Sequence, residues 1–267
     1  MIEIYLLRAV LIFGYIIGPF FTNHFFLKNR KIYSFFHIVS IIIIVFAMLF
    51  KIPQLNIVWL FFCGFGIILL LKIHWSRLLQ DYTWTKLIPL GFSFLSAIWF
   101  FSGSNHVNLL GYNEIWSYYA AIHGCFIGWL FLMGVTVLLE RNPESKIYPI
   151  LILCIVILFL MIAFGIFGNL VLKKMGVIGY SVLLPFSLIY RGQGIRCQNP
   201  ISKYLFRCSF IFLCFTLLLA LLHEFYSGFP KFIYGIPMMV LVHGSLNSLI
   251  VIPCFLGSIL MDEIKES

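Results

Sequence analysis

Residues 147–170 read IYPILILCIVILFLMIAFGIFGNL and include no charged side chain. A helix of that length covers about 36 Å at roughly 1.5 Å per residue, more than the ~30 Å hydrocarbon core of a bilayer. No motif in the chain constrains its fold as strongly as this run does. In lipid, only helices and closed barrels satisfy every backbone polar group internally. Comparable apolar runs recur from end to end and define nine candidate spans: 4–26, 32–50, 55–72, 87–102, 115–139, 147–170, 175–190, 203–222 and 232–260. Composition agrees, with 62% hydrophobic and 10% charged residues against the quarter charged that is usual in soluble domains. The expected fold is all-α: a polytopic helical membrane bundle forming one integral-membrane domain over residues 1–267. The first run begins at Ile4 without a basic leader or a small-residue cleavage site, so it is expected to stay as a helix.

Charge sets the expected orientation. The net charge of +9 is scattered in short clusters between apolar runs, which points to topology rather than to nucleic acid. With the N-terminus outside, the inner segments hold 13 of the 18 basic residues: Lys28, Arg30, Lys31, Lys72, Arg77, Lys86, Arg141, Lys146, Arg191, Arg196, Lys203, Arg207 and Lys265. The outer segments keep 5: Arg8, Lys51, Lys173, Lys174 and Lys231. The positive-inside rule then places the N-terminus outside and the C-terminus inside a cell (plasma) membrane. Span 175–190 is short and carries Gly176, Gly179 and Pro185, but the charge bias requires it to cross. Pro53, Pro89 and Pro149 suit helix starts, while Pro185 and Pro253 lie inside spans and are expected to kink them. "RGQGIR" (191–196) has the glycines of an anion-binding loop, but a basic anchor lying against anionic lipid is the favoured reading.

Seven cysteines include no CxxC pair, and the apolar setting of most of them predicts buried thiols and no disulfide framework. Walker, GxGxxG, HExxH and GxSxG motifs are all absent. Chemistry therefore rests on polar residues at membrane depth, which tend to line cavities or relays. His123 lies eight residues past Ile115 and His243 six past Pro237, depths of about 12 and 9 Å at the helical rise. Both spans run outside to inside, so the two imidazoles are expected in one layer, with Asn247 one turn below His243. The loop "SGSNHVNLLGYNE" adds His106 and Glu114, and "LLHEFYSGF" adds His223 and Glu224. Small residues follow each deep histidine at four-residue spacing: Gly124 and Gly128, then Gly244 and Ser248. Such pairs let helices approach closely in lipid, as Gly14 and Gly18 also could. Bulky substitution is accordingly expected to harm Gly124 and Gly244 more than Gly165. A purely structural role, hydrogen-bonding across helices, competes with a functional pocket for His243 and Asn247.

These residues carry two resemblances. The His243–Asn247 spacing is similar to one motif of the CAAX-protease and bacteriocin-processing family, but the paired glutamates followed by arginine are missing. "LVHGSLNSLI" (241–250) with "YYAAIHGCFIGWLFLMG" (118–134) resembles the YndJ-like family of bacterial multi-pass membrane proteins. That resemblance puts His243, Gly244 and Asn247 on a late His-Gly-x-x-Asn element and His123 on an earlier one. It implies a multi-pass membrane fold and supplies no reaction.

The leading reading is transport or handling of a small ligand or ion at a polar site in the outer half of the bundle. The alternatives are an intramembrane hydrolase or metal-dependent enzyme using His123, His243 and Asn247, and a structural membrane partner. The lipid bilayer is the one partner implied; nucleic acid is not, and no cofactor or oligomeric state is assigned. Orientation is testable by labelling. Cysteines introduced at Asn108 and Lys173 should react with an impermeant thiol reagent on intact cells, and those at Asn142 and Gln193 only after permeabilisation. The reverse pattern would overturn the charge argument.

Overall fold

The computed structural model describes residues 2–80, 82–166, 168–194 and 199–266. Among the described residues, nine helices are long and apolar enough to cross a membrane. They are α1 (Ile2–Phe25), α2 (Lys31–Leu49), α3 (Pro53–Arg77), α4 (Thr83–Ser104), α5 (Glu114–Arg141), α6 (Ile147–Ile166), α7 (Leu170–Tyr190), α8 (Pro200–Phe225) and α9 (Met239–Glu263). The chain is a multi-pass helical membrane protein. Its helices group into two compact units, Leu7–Met133 and Met1–Leu6 with Gly134–Ser267. The division falls within α1 and within α5.

In the first unit the small residues of α1 form a socket for α5. A Cβ on Gly14 would stand 2.6 Å from Cys125 Sγ, and one on Gly18 would stand 2.5 Å from the Trp129 ring. Trp129 Nε1 then donates to Thr22 Oγ1 at 3.0 Å, so the indole is both packed and satisfied. On another face of α5, Gly128 abuts the Phe92 ring and Gly124 lies against Ser96 of α4. Ser96 Oγ donates to the Ala121 carbonyl at 2.7 Å. The close approach expected around Gly124 and Gly128 is thus made to α4. Asn113 caps α5 by accepting from Trp116 N at 3.0 Å, satisfying an amide that the helix start leaves unpaired.

In the second unit, α6 and α7 form an antiparallel pair. Gly165 meets the backbone of Lys173, Gly176 meets Ile162 and Gly179 meets Leu158. Tyr180 donates its hydroxyl hydrogen to the Ile155 carbonyl at 3.1 Å. The glycines of α7 are therefore its packing surface, and the helix begins at Leu170 rather than 175, which brings Lys173 and Lys174 into it and makes it the least hydropathic of these helices. It runs on to Gly194, so the backbone at Gly192 and Gly194 is helical rather than a curled loop. Arg196 of the "RGQGIR" segment lies outside the described residues.

The ninth span differs from the expected 232–260. Phe232–Ile233 (β1) pairs antiparallel with Ile236–Pro237 (β2), and α9 starts only at Met239. Tyr234 and Gly235 join the strands with φ of 50° and 76°. Two positive φ values make a turn whose twist matches a hairpin, and Pro237 has no N–H to extend the ladder.

Two helices leave ideal α geometry at the sequences that carry the deep histidines. α5 is π-helical over Gly124–Phe131; α9 is π-helical over Met239–Gly244 and again over Asn247–Val251. The second widened stretch of α9 ends just before Pro253, which cannot donate a backbone hydrogen bond to the preceding turn.

The order expected for Gly244 and Gly165 is reversed, because a Cβ on Gly165 would run into the Lys173 backbone while Gly244 has no neighbouring helix against it. Gly18→Leu and Gly165→Leu should sharply reduce monodisperse folded protein, because each would drive a side chain into an indole or a neighbouring backbone. At Gly244 the Met239 carbonyl of the same helix, 3.4 Å away, is the one atom a Cβ would meet within 4 Å, so Gly244→Ala should retain yield. Size-exclusion yield of the three variants checks the ordering, and wild-type yield for Gly165→Leu would refute it.

Candidate functional site

The α8–α9 pair is held by hydroxyls that reach across to backbone carbonyls. Ser202 Oγ donates to Ser258 O at 2.7 Å, and Ser209 Oγ donates to Val251 O at 2.9 Å. One position further in the same series, Thr216 Oγ1 donates to Asn247 Oδ1 at 2.9 Å, with the Leu213 carbonyl 3.0 Å from the same hydroxyl. Ser202, Ser209 and Thr216 are fully buried. Their seven-residue spacing keeps them on one face of α8 with little drift, and Asn199 Nδ2 extends the seam to Met261 O at 3.1 Å.

His243 joins this seam at Thr216. Its Nδ1 lies 2.8 Å from the Thr216 carbonyl. A carbonyl can only accept, so Nδ1 carries the hydrogen and the neutral ring holds its lone pair on Nε2. Thr216 thus receives His243 through its carbonyl and Asn247 through its hydroxyl, linking the two residues of the His-Gly-x-x-Asn element to one position of α8. Both are half-buried. Ser248 is buried, and its hydroxyl turns back to Gly244 O at 2.8 Å within α9.

The next seven-residue step on α8 is His223. Its Nδ1 is buried without a hydrogen-bond partner. Beside it, Glu224 binds Lys173 at 2.7 Å with only 8% of its side chain exposed. The Lys231 ammonium donates to the His223 carbonyl, and Lys174 lies over the Phe225 ring at 5.6 Å. His223 and Glu224 are therefore set among three lysines at the end of the polar face that holds Thr216.

The first unit positions the other candidates. His123 Nδ1 lies 2.8 Å from the Tyr119 carbonyl, the same tautomer-fixing contact as His243 makes, and the ring is half-buried. His106 Nδ1 sits 3.3 Å from Glu114 Oε2, and Glu114 Oε1 binds Arg8 at 3.1 Å. Arg8 Nε also donates to the Tyr118 hydroxyl at 2.7 Å. His106 and Glu114, read separately from one loop, thus form one network anchored by Arg8.

Sequence reasoning missed Thr216, the seam serines, Lys173 and Arg8 as partners. The repeat 202, 209, 216, 223 was the available signal for the first of these. Arg8 and Lys173 carried no local signal, since each meets its carboxylate from a different helix. Among the described residues, no three His, Cys, Asp or Glu side chains converge to hold a metal ion.

The YndJ-like protein family matches the chain over residues 19–251. The chain belongs to that family. No curated protein and no solved structure matches it. The YndJ-like region takes in His123, Thr216, His223, His243 and Asn247, and stops short of Arg8 and Cys254. The resemblance drawn from "LVHGSLNSLI" and "YYAAIHGCFIGWLFLMG" therefore extends over most of the molecule.

Seam serines away from the histidine should behave as ordinary interhelical hydrogen bonds. Ser202→Ala and Ser209→Ala should each cost about 0.6 kcal/mol, read by unfolding in detergent mixtures. A loss well beyond 2 kcal/mol for either would show that the seam is more than a set of independent bonds.

Proposed function

We propose that this protein handles a small polar solute or ion within the plasma membrane, at a site formed by His243, Asn247 and Thr216. The observation that carries the reading is the meeting of an imidazole and an amide on one threonine at membrane depth, each from its own π-helical stretch. Ionisable groups inside a membrane tend to mark ion or substrate pathways, and π-helical turns are enriched at functional sites. His223 continues the same face of α8 toward the loop that carries Lys231, and with Glu224 and its partner Lys173 of α7 it forms the approach. His123 is a second candidate, supported by its own Nδ1-to-carbonyl contact and by its place just before a π-helical stretch. In this reading His106 and Glu114 order the loop before α5 rather than bind the ligand, because Arg8 already neutralises the carboxylate. The chain acts as one integral-membrane domain, with its N-terminus outside and its C-terminus inside. An enzymatic reading lacks a corresponding observation.

The test separates a working site from bracing. His243→Asn retains a hydrogen-bonding group but removes the titratable ring, and Thr216→Val removes the hydroxyl at nearly constant shape. If the site works, His243→Asn should leave yield and unfolding stability within about 1 kcal/mol of wild type. It should also abolish complementation of the phenotype produced by deleting the gene. Thr216→Val should weaken complementation while costing about 0.6 kcal/mol. Full complementation by a stable His123→Asn/His243→Asn double variant would sink the proposal.

A further inference from the structure

The α8–α9 seam fixes a register that brings two cysteines together. Ser209 reaches Val251, Ser202 reaches Ser258, and a Cβ on Gly257 would stand 3.4 Å from Leu205 Cδ1. In that antiparallel register, one turn on from the Leu205–Gly257 approach, Cys208 falls opposite Cys254, near enough for the two thiols to influence each other. Both are half-buried rather than sealed in the core. The serines and glycine around them let the backbones approach closely, which a disulfide needs, since its Cα atoms usually lie about 4.4–6.8 Å apart.

We propose that Cys208 and Cys254 are a redox-closable dithiol that ties α8 to α9. The pair lies within membrane-spanning helices, so the oxidant that reaches it must dissolve in lipid, and a quinone meets that requirement. Both S–H bonds break, one S–S bond forms, and the two hydrogens with two electrons pass to the quinone, which leaves as the quinol. The tie falls just past the π-helical stretch Asn247–Val251. Closure therefore restrains the part of α9 beyond Asn247, and reduction of the disulfide by two small thiols, which leave joined as their own disulfide, releases it.

The test uses the full chain in lipid nanodiscs with a short-chain ubiquinone as probe. Peptide mapping without reductant should reveal Cys208 linked to Cys254, two hydrogens lighter than the dithiol, with one quinol formed per link. Cys208→Ser and Cys254→Ser should each abolish the link and reduce quinol to background, while Cys154→Ser should leave both unchanged. Separate alkylation of the two thiols by N-ethylmaleimide after quinone treatment would overturn the proposal. So would quinone adducts in place of the link, or a link through another cysteine. Because these readouts are covalent, they stand whether or not the histidine site binds a solute.

Discussion

A hydroxyl or imidazole hydrogen inside a bilayer has no water to bond, so it must find an acceptor on the protein. Helix carbonyls are the commonest acceptors within reach, and the second unit is organised around that fact. Ser202, Ser209 and His243 each place a hydrogen on a carbonyl of the facing helix, and Thr216 places its own on Asn247. Each bond is weak, but all lie in one seam, and together they fix which faces of α8 and α9 meet. The same rule positions Ser96 and Trp129 in the first unit. Polar side chains there act as register pins, while glycines set how near the backbones come.

The division of labour explains where the charged groups lie. Arg8–Glu114 and Lys173–Glu224 are each formed within a few residues of a helix end, where partial hydration lowers the cost of desolvating an ion pair. Deeper along α8 the polar positions are neutral hydroxyls. His243 meets this face from α9, and its Nδ1 is held by a carbonyl that favours one tautomer.

The number of helices was legible because each apolar run is long enough to decide its own fate. α7 was a short apolar run whose crossing the charge bias supported, and its weak signal has a physical reason: the helix carries Lys173 and Lys174, and it uses Gly176 and Gly179 for its contact with α6. The start of α9 was misplaced because Phe232, Ile233, Ile236 and Pro237 are apolar in either setting, and only Tyr234–Gly235 hinted at a turn. Of the site, His243 and Asn247 stood out by type and spacing. Thr216 did not, because a threonine in an apolar helix is ordinary until its seven-residue neighbours are aligned with it. Arg8 with Glu114 and Cys208 with Cys254 are pairings between distant segments that no local pattern encodes.

The π-helical stretches of α9 give the His-Gly-x-x-Asn element its geometry. In an undisturbed α-helix, residues four apart lie about 40° apart around the axis, so both would present similar faces at different heights. A turn widened to i→i+5 bonding inserts a residue and rotates the later turns of the helix relative to the earlier ones. Widened stretches take in both ends of this element, one ending at Gly244 and the next beginning at Asn247. Within that frame the ring of His243 reaches the carbonyl of Thr216 while the amide of Asn247 reaches its hydroxyl. Gly244 offers no side chain at the point where the first widened stretch ends, and Ser248 holds its carbonyl with a hydroxyl. The element is thus a local departure from α geometry whose loosened carbonyls are met by neighbouring hydroxyls. Restoring regular α-helix there would move one of the two polar groups off Thr216.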